Sequence, residues 1–156
     1  MIQMYGDWAK AGVVLRKLST KLQPFMKAKL DESGKLVLET IKGHINDQDL
    51  DWTPLADATI ERKGNDLVYY ETGTLKDGLS VRKIKSAKDN ITIFIGASPW
   101  KRHKPSGLKL SDLVIYLEYG TEVVPPRPLI QPSFEEVKDK IMKDWKNDII
   151  EFIQKG

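Results

Sequence analysis

Few residues in this chain have the types and spacing that do chemistry, and they are scattered. Asp47, Asp49 and Asp51 have the alternate spacing that opens a calcium-binding loop. Such a loop then needs glycine at its sixth position for a sharp turn and glutamate at its twelfth as a bidentate ligand. Trp52 and Ala58 stand there instead, so the run reads as a solvated acidic turn. Gly96-Ala97-Ser98 begins like a nucleophile elbow, but Trp100 occupies the position of the second glycine. His44 and His103 are far apart, and neither has a second histidine at metal-ligand spacing. A serine, a histidine and an acid can be assembled in space by many folds, yet nothing local supports such a site. No glycine-rich stretch ends in Gly-Lys-Ser/Thr to cradle a phosphate. The chain has no cysteine, which removes thiolate metal sites, thiol nucleophiles and disulfides. No local pattern among these residues marks a catalytic, cofactor or metal site.

Basic residues are the remaining candidates. Arg82, Lys83, Lys85 and Lys88 fall on a predicted hairpin, and Lys101, Arg102 and Lys104 on the loop after it. Together they could contact phosphates. Only Trp100 lies near them as an aromatic, so stacking on bases is not suggested. The formal net charge of +3 over 156 residues is too small to indicate nucleic-acid binding by itself. A solvated face is the simpler reading. No apolar run approaches the roughly 20 residues of a membrane span. Asp7 and Trp8 also break any basic-then-apolar leader pattern.

The elements that would position these residues follow from periodicity. Met4, Trp8, Ala11, Leu15, Leu18 and Leu22 recur at spacings of three and four, which predicts a helix with one buried face. Met26, Leu30, Val37, Ile41 and Ile45 continue the pattern to about residue 45. Pro24 and Gly34 interrupt it, so one kinked helix and two shorter ones are both open. Thr53 can cap a short helix with Pro54 at its first position, Leu55 facing inward and Gly64 at its end. Thr72-Gly73 reads as a turn, followed by Leu75. Val81 and Ile84, then Ile91, Ile93 and Ile95, predict an antiparallel hairpin turning at 86–90. A lone hairpin is marginal, so a further strand is expected from 66–71 or 121–125. Residues 96–109, with two prolines, two glycines and four cations, predict a long, exposed, mobile loop. Ser111 can cap a helix ending at Tyr119 and Gly120. Ser133 and Glu136 have the spacing of a capping box before the stripe Phe134, Val137, Ile141, Trp145, Ile149 and Phe152. The sum is an α+β fold in a single domain spanning 1–156. Its small antiparallel sheet is packed by N-terminal helices (1–45) and a C-terminal helix (133–156), around a motif-bearing core (46–132).

The segment 117–134 organises this layout. Pro125, Pro126 and Pro128 each fix φ and push the preceding residue towards extension. The connector is therefore stiff, and Arg127 is projected from a rigid backbone.

Two clusters resemble one family. Trp52-Thr53-Pro54-Leu55-Ala56, then Thr59 to Lys63, then Thr72-Gly73-Thr74-Leu75 to Ser80 resembles a signature of phage virion morphogenesis proteins, the tail-completion proteins of Mu-like phages. Leu117-Glu118-Tyr119-Gly120-Thr121, followed by Pro126-Arg127-Pro128-Leu129-Ile130-Gln131-Pro132, resembles their second segment. Head–tail joining proteins of long-tailed phages share that segment. The likeness runs over roughly residues 36–135. Leu129 replaces the usual phenylalanine, and the loop from Trp100 to Lys104 matches nothing in the family pattern. The resemblance implies a non-catalytic neck protein found in the virion, and in the host cytoplasm during assembly. Its subunits would form a ring, a hexamer as that family is commonly thought of, around the channel that packaged DNA crosses. Its partners would be other copies of itself, a head connector or stopper protein, and a tail tube or tail terminator protein. Tyr119, Gly120, Thr121, Pro126, Arg127 and Pro128, with Trp100, Lys101 and Arg102 on the loop, are the expected contact residues. A heterologous contact closes such a ring by rotation, and Arg127 would grip an acidic group on the neighbour. Trp52, Pro54, Leu55, Thr72, Gly73 and Leu75 are expected to be structural. The alternative is a nucleic-acid-binding module of a mobile element using the hairpin and loop cations.

Overall fold

The computed structural model describes residues 8–84 and 91–155, with side chains from Gly12 onward. Five helices and one hairpin follow in the order α1 (Trp8–Asp47), α2 (Asp57–Lys63), α3 (Thr74–Gly78), β1 (Leu79–Ile84), β2 (Thr92–Ala97), α4 (Leu110–Tyr119) and α5 (Ile130–Lys155). The α+β reading holds: helices from both ends of the chain pack with a two-stranded antiparallel sheet.

The N-terminal periodicity resolves into one continuous helix, with Pro24 inside it. Proline removes a single ladder donor, and the helix continues through it. Gly34 is needed where the hairpin crosses α1. A Cβ there would lie 2.6 Å from Ile93 Cδ1 and 3.0 Å from Val81 Cγ1. Farther along, Val37, Ile41 and Ile45 enter the core with Leu79, Ala97, Leu110, Val114, Leu129 and Val137. The first part of α1 differs from expectation. Leu15 and Leu22 are exposed, so that stripe does not lie on the subunit's own core.

The hairpin pairs Leu79 with Ala97, Val81 with Ile95 and Lys83 with Ile93. Its turn at 86–90, with Lys85 and Lys88, lies outside the described residues. The extra strand is not formed. Tyr69 has φ 61°, which ends extended pairing at 66–71, and 121–124 closes as a turn through Thr121 N–H to Val124 O at 2.8 Å. Packing against α1 supplies what a third strand would have given the hairpin.

Helices α1 and α5 run antiparallel. Phe25 stacks on Phe152 at 4.4 Å, Trp145 Nε1 donates to Ser33 Oγ at 2.8 Å, and His44 Nε2 lies 3.1 Å from Glu136 Oε2. The helix begins at Ile130 rather than at a Ser133 cap. Ser133 is fully buried within its first turns and donates to Leu129 O at 2.6 Å. Glu136 faces His44 and closes no capping box. Phe134 is 44% exposed and lies off the buried stripe. In α2 the N-cap is Ala56, with no side-chain cap, so Thr53 and Pro54 lie upstream of the helix. Gly64 ends α2 in the left-handed conformation, as its position predicts. Lys109, not Ser111, is the N-cap of α4.

Candidate functional site

The two sequence clusters that carry the family likeness meet in space, and Arg127 joins them. Its guanidinium does not project from the connector; the residue is only 4% exposed. Nε donates to Thr53 O at 2.7 Å and Nη2 to Pro54 O at 2.8 Å. The expected grip on a neighbour is thus corrected to a clamp within the subunit. The prolines explain the geometry. They hold 125–128 extended, so the Arg127 side chain leaves the backbone towards 53–54 with little conformational freedom to lose. Burial pulls the guanidinium below its ordinary pKa, and two carbonyl acceptors replace part of the lost hydration.

Further bonds tighten the same joint. Trp52 Nε1 donates to Pro128 O at 2.7 Å, and the Trp52 and Tyr69 rings lie 5.2 Å apart. The Tyr69 hydroxyl donates to Arg127 O at 2.7 Å. Burial, with the Glu118 carboxylate beside it, pushes that phenol far above its usual range. Arg127 N–H donates to Leu117 O at 2.7 Å, tying the connector to the end of α4. Gly120 makes the chain reversal possible. Its φ is +74°, and a Cβ would meet Val124 O at 2.7 Å and Pro126 N at 2.8 Å.

Glu118 is the residue that sequence reasoning missed. It is 8% exposed, and its carboxylate caps α5. Oε2 accepts from Leu129 N at 2.7 Å and Ile130 N at 3.0 Å, and Oε1 accepts from Gln131 N at 3.1 Å. A charged acceptor on the orphan N–H groups of a helix N-terminus satisfies both their hydrogen bonds and the helix dipole. A signal was present: Glu118 is four residues after Val114 and next to Leu117, so an acid stood on the inner face of α4.

The remaining expected residues divide between anchored and exposed. Leu75 is buried. Gly73 has φ 76° and is the N-cap of α3, beside a Thr72–Thr74 hydroxyl contact of 2.7 Å. Leu55 is half-buried at the wall of a small pocket with Tyr69, Leu113 and Leu117. Thr121 Oγ1 accepts from Val124 N at 3.1 Å inside its turn. Tyr119 is 76% and Trp100 86% exposed, and Pro126, Pro128, Lys101 and Arg102 are also exposed.

The 96–109 segment is not the open loop expected. Its start belongs to β2, and the rest is a closed turn with His103 N to Leu108 O and Gly107 N to His103 O, both at 2.8 Å. His103 is buried and reaches Ser106 Oγ at 2.9 Å and Glu71 Oε2 at 3.4 Å. A serine, a histidine and an acid do converge here. However, Ser106 Oγ also accepts from Leu108 N at 3.4 Å, and Glu71 is shared with Arg62 at 2.8 Å. These bonds fasten the turn to the α2–α3 region. Two of the hairpin cations are engaged as well: Arg82 lies over the Phe94 ring at 4.8 Å, and Lys83 pairs with Asp31 at 2.6 Å. Among the described residues, no helix is long and apolar enough to cross a membrane.

No protein-family model matches this chain, and neither the curated proteins nor the solved structures include a match to it.

Proposed function

We propose that this chain is a structural subunit of a tailed phage or prophage particle. Copies assemble into a ring at the neck or tail end, joining tail to head or completing the tail, without turnover of a substrate. The ring's partners are the head connector or stopper and the tail tube or terminator, with packaged DNA crossing its lumen without sequence-specific contact. The observation that carries this reading is the joint itself. The residues on which the likeness rests form a fixed scaffold through Arg127, Trp52, Tyr69 and Glu118. Beside it, Tyr119 and Val123 stand 76% and 89% exposed. A rigid frame presenting large apolar side chains is suited to repeated contact between subunits.

The test is twofold. Purified protein is examined by light scattering and negative-stain electron microscopy across a concentration series, with closed rings as the expected result. The reading frame is deleted from its phage, and particles with separated heads and tails, or with unfinished tails, are expected. Intact infectious particles after deletion would overturn the proposal.

A further inference from the structure

We propose that the N-terminal arm of α1 docks on the acidic face formed by residues 46–66 of a second copy of this chain. The inference rests on the ring reading above and names the two surfaces that make its contact.

Among the described residues, the arm from Val13 to Leu22 is largely without cover. From Phe25 onward α1 lies against α5, through Phe152 and the Lys29–Asp148 ion pair of 2.6 Å. Leu15, Leu18, Leu22 and Phe25 fall on one stripe by helical spacing. The seam that meets α5 therefore continues N-terminally, where Leu15 is 65% and Leu22 42% exposed, beside Val14 at 52%. Residues 8–24 extend roughly 25 Å at the helical rise. An isolated helix of that length is marginal in water, so a covering surface is what would hold it.

Charge selects the occupant. Residues 8–30 contain Lys10, Arg16, Lys17, Lys21, Lys27 and Lys29 and no acid. Residues 46–66 contain Asp47, Asp49, Asp51, Asp57, Glu61 and Asp66 against Arg62 and Lys63, and all six acids are exposed. A second arm would bring like charges together, whereas the acidic face attracts. The arm and this face sit at opposite ends of a 40-residue helix, roughly 45 Å apart from mid-arm to Asp47. A subunit's arm thus cannot reach its own acidic face. The contact must be between copies, and a heterologous contact of this kind closes into a ring or runs on as a filament.

The test uses charge reversal in the full chain. One variant carries Arg16→Glu, Lys17→Glu and Lys21→Glu, and the other Asp57→Lys and Glu61→Lys. Circular dichroism checks that both fold, and sedimentation velocity reads assembly. Each variant alone should assemble at least about tenfold more weakly than the natural chain. An equimolar mixture should regain assembly, because each reversed surface then meets its complement. Assembly of the natural chain that survives either reversal overturns this inference and leaves the ring reading standing. Loss in both variants without recovery on mixing also overturns it, as does an arm that binds duplex DNA or anionic vesicles in place of the second copy. A natural chain that stays monomeric at every concentration overturns both.

Discussion

Replacing Glu118 with glutamine keeps the side chain's shape and removes its charge. The carboxylate accepts from the backbone N–H groups of Leu129, Ile130 and Gln131 at 2.7 to 3.1 Å. A glutamine can offer one oxygen, while its amide turns N–H donors towards N–H donors. Losing a buried charge at the helix N-terminus costs up to about 2 kcal/mol. Leaving one of those donors without an acceptor adds about 1 to 2 kcal/mol. Glu118→Gln should therefore lower stability by about 3 kcal/mol, or roughly 6 to 12 °C in Tm for a chain of this size. Urea unfolding followed by circular dichroism, at fixed protein concentration so that assembly does not contribute, measures it. Glu122→Gln is the control, since Glu122 is exposed and should change stability by less than about 0.5 kcal/mol. If Glu118→Gln falls within the same 0.5 kcal/mol, the cap does not stabilise the joint as argued.

Four other outcomes are expected. Arg127→Lys keeps the charge but cannot span Thr53 O and Pro54 O; it should cost about 2 kcal/mol and speed limited proteolysis within 50–58. Gly120→Ala forces a Cβ to within 2.7 Å of Val124 O at a positive φ, so a loss of at least about 2 kcal/mol is expected in the same unfolding assay. Ser106→Ala should leave hydrolysis of p-nitrophenyl acetate at the rate of the natural chain; a fall would show that the Ser106–His103–Glu71 set is catalytic. The bond from His44 Nδ1 holds the Asp49 carboxyl below the usual carboxylate range. A depressed folded-state pKa contributes stability above about pH 4 and loses it as pH falls through the depressed value. Asp49→Asn should accordingly show a smaller difference in urea midpoint between pH 7 and pH 3 than the natural chain.

Periodic elements were legible along the chain because their signals are local. The spacing of Val37, Ile41 and Ile45, the alternation of Ile93 and Ile95, and the stripe from Val137 to Phe152 each specify an element within a few turns or pleats. The glycine at 120 likewise announces the end of α4, which it caps; its φ of 74° is positive as expected, but its ψ of −179° lies outside the left-handed helical region. Helix beginnings were read less well. Ser133 and Thr53 looked like caps, but Glu118 caps α5 and α2 has no side-chain cap. Glu118 lies eleven residues before Leu129 in sequence and folds back onto its N–H, which no local pattern specifies.

What the sequence determined by itself was the set of elements and the rigidity of the connector, since both follow from covalent geometry and short-range periodicity. Tertiary structure decided what those elements do. Arg127 and Thr53 are separated by 74 residues, and only their packing turned a side chain that composition would place in solvent into an internal clamp. The same packing left the α1 segment from Val13 to Leu22 largely outside the core. The stripe there looks like any buried helix face, and whether it is covered depends on how far α5 extends alongside it, a property of the assembled fold and not of the stripe.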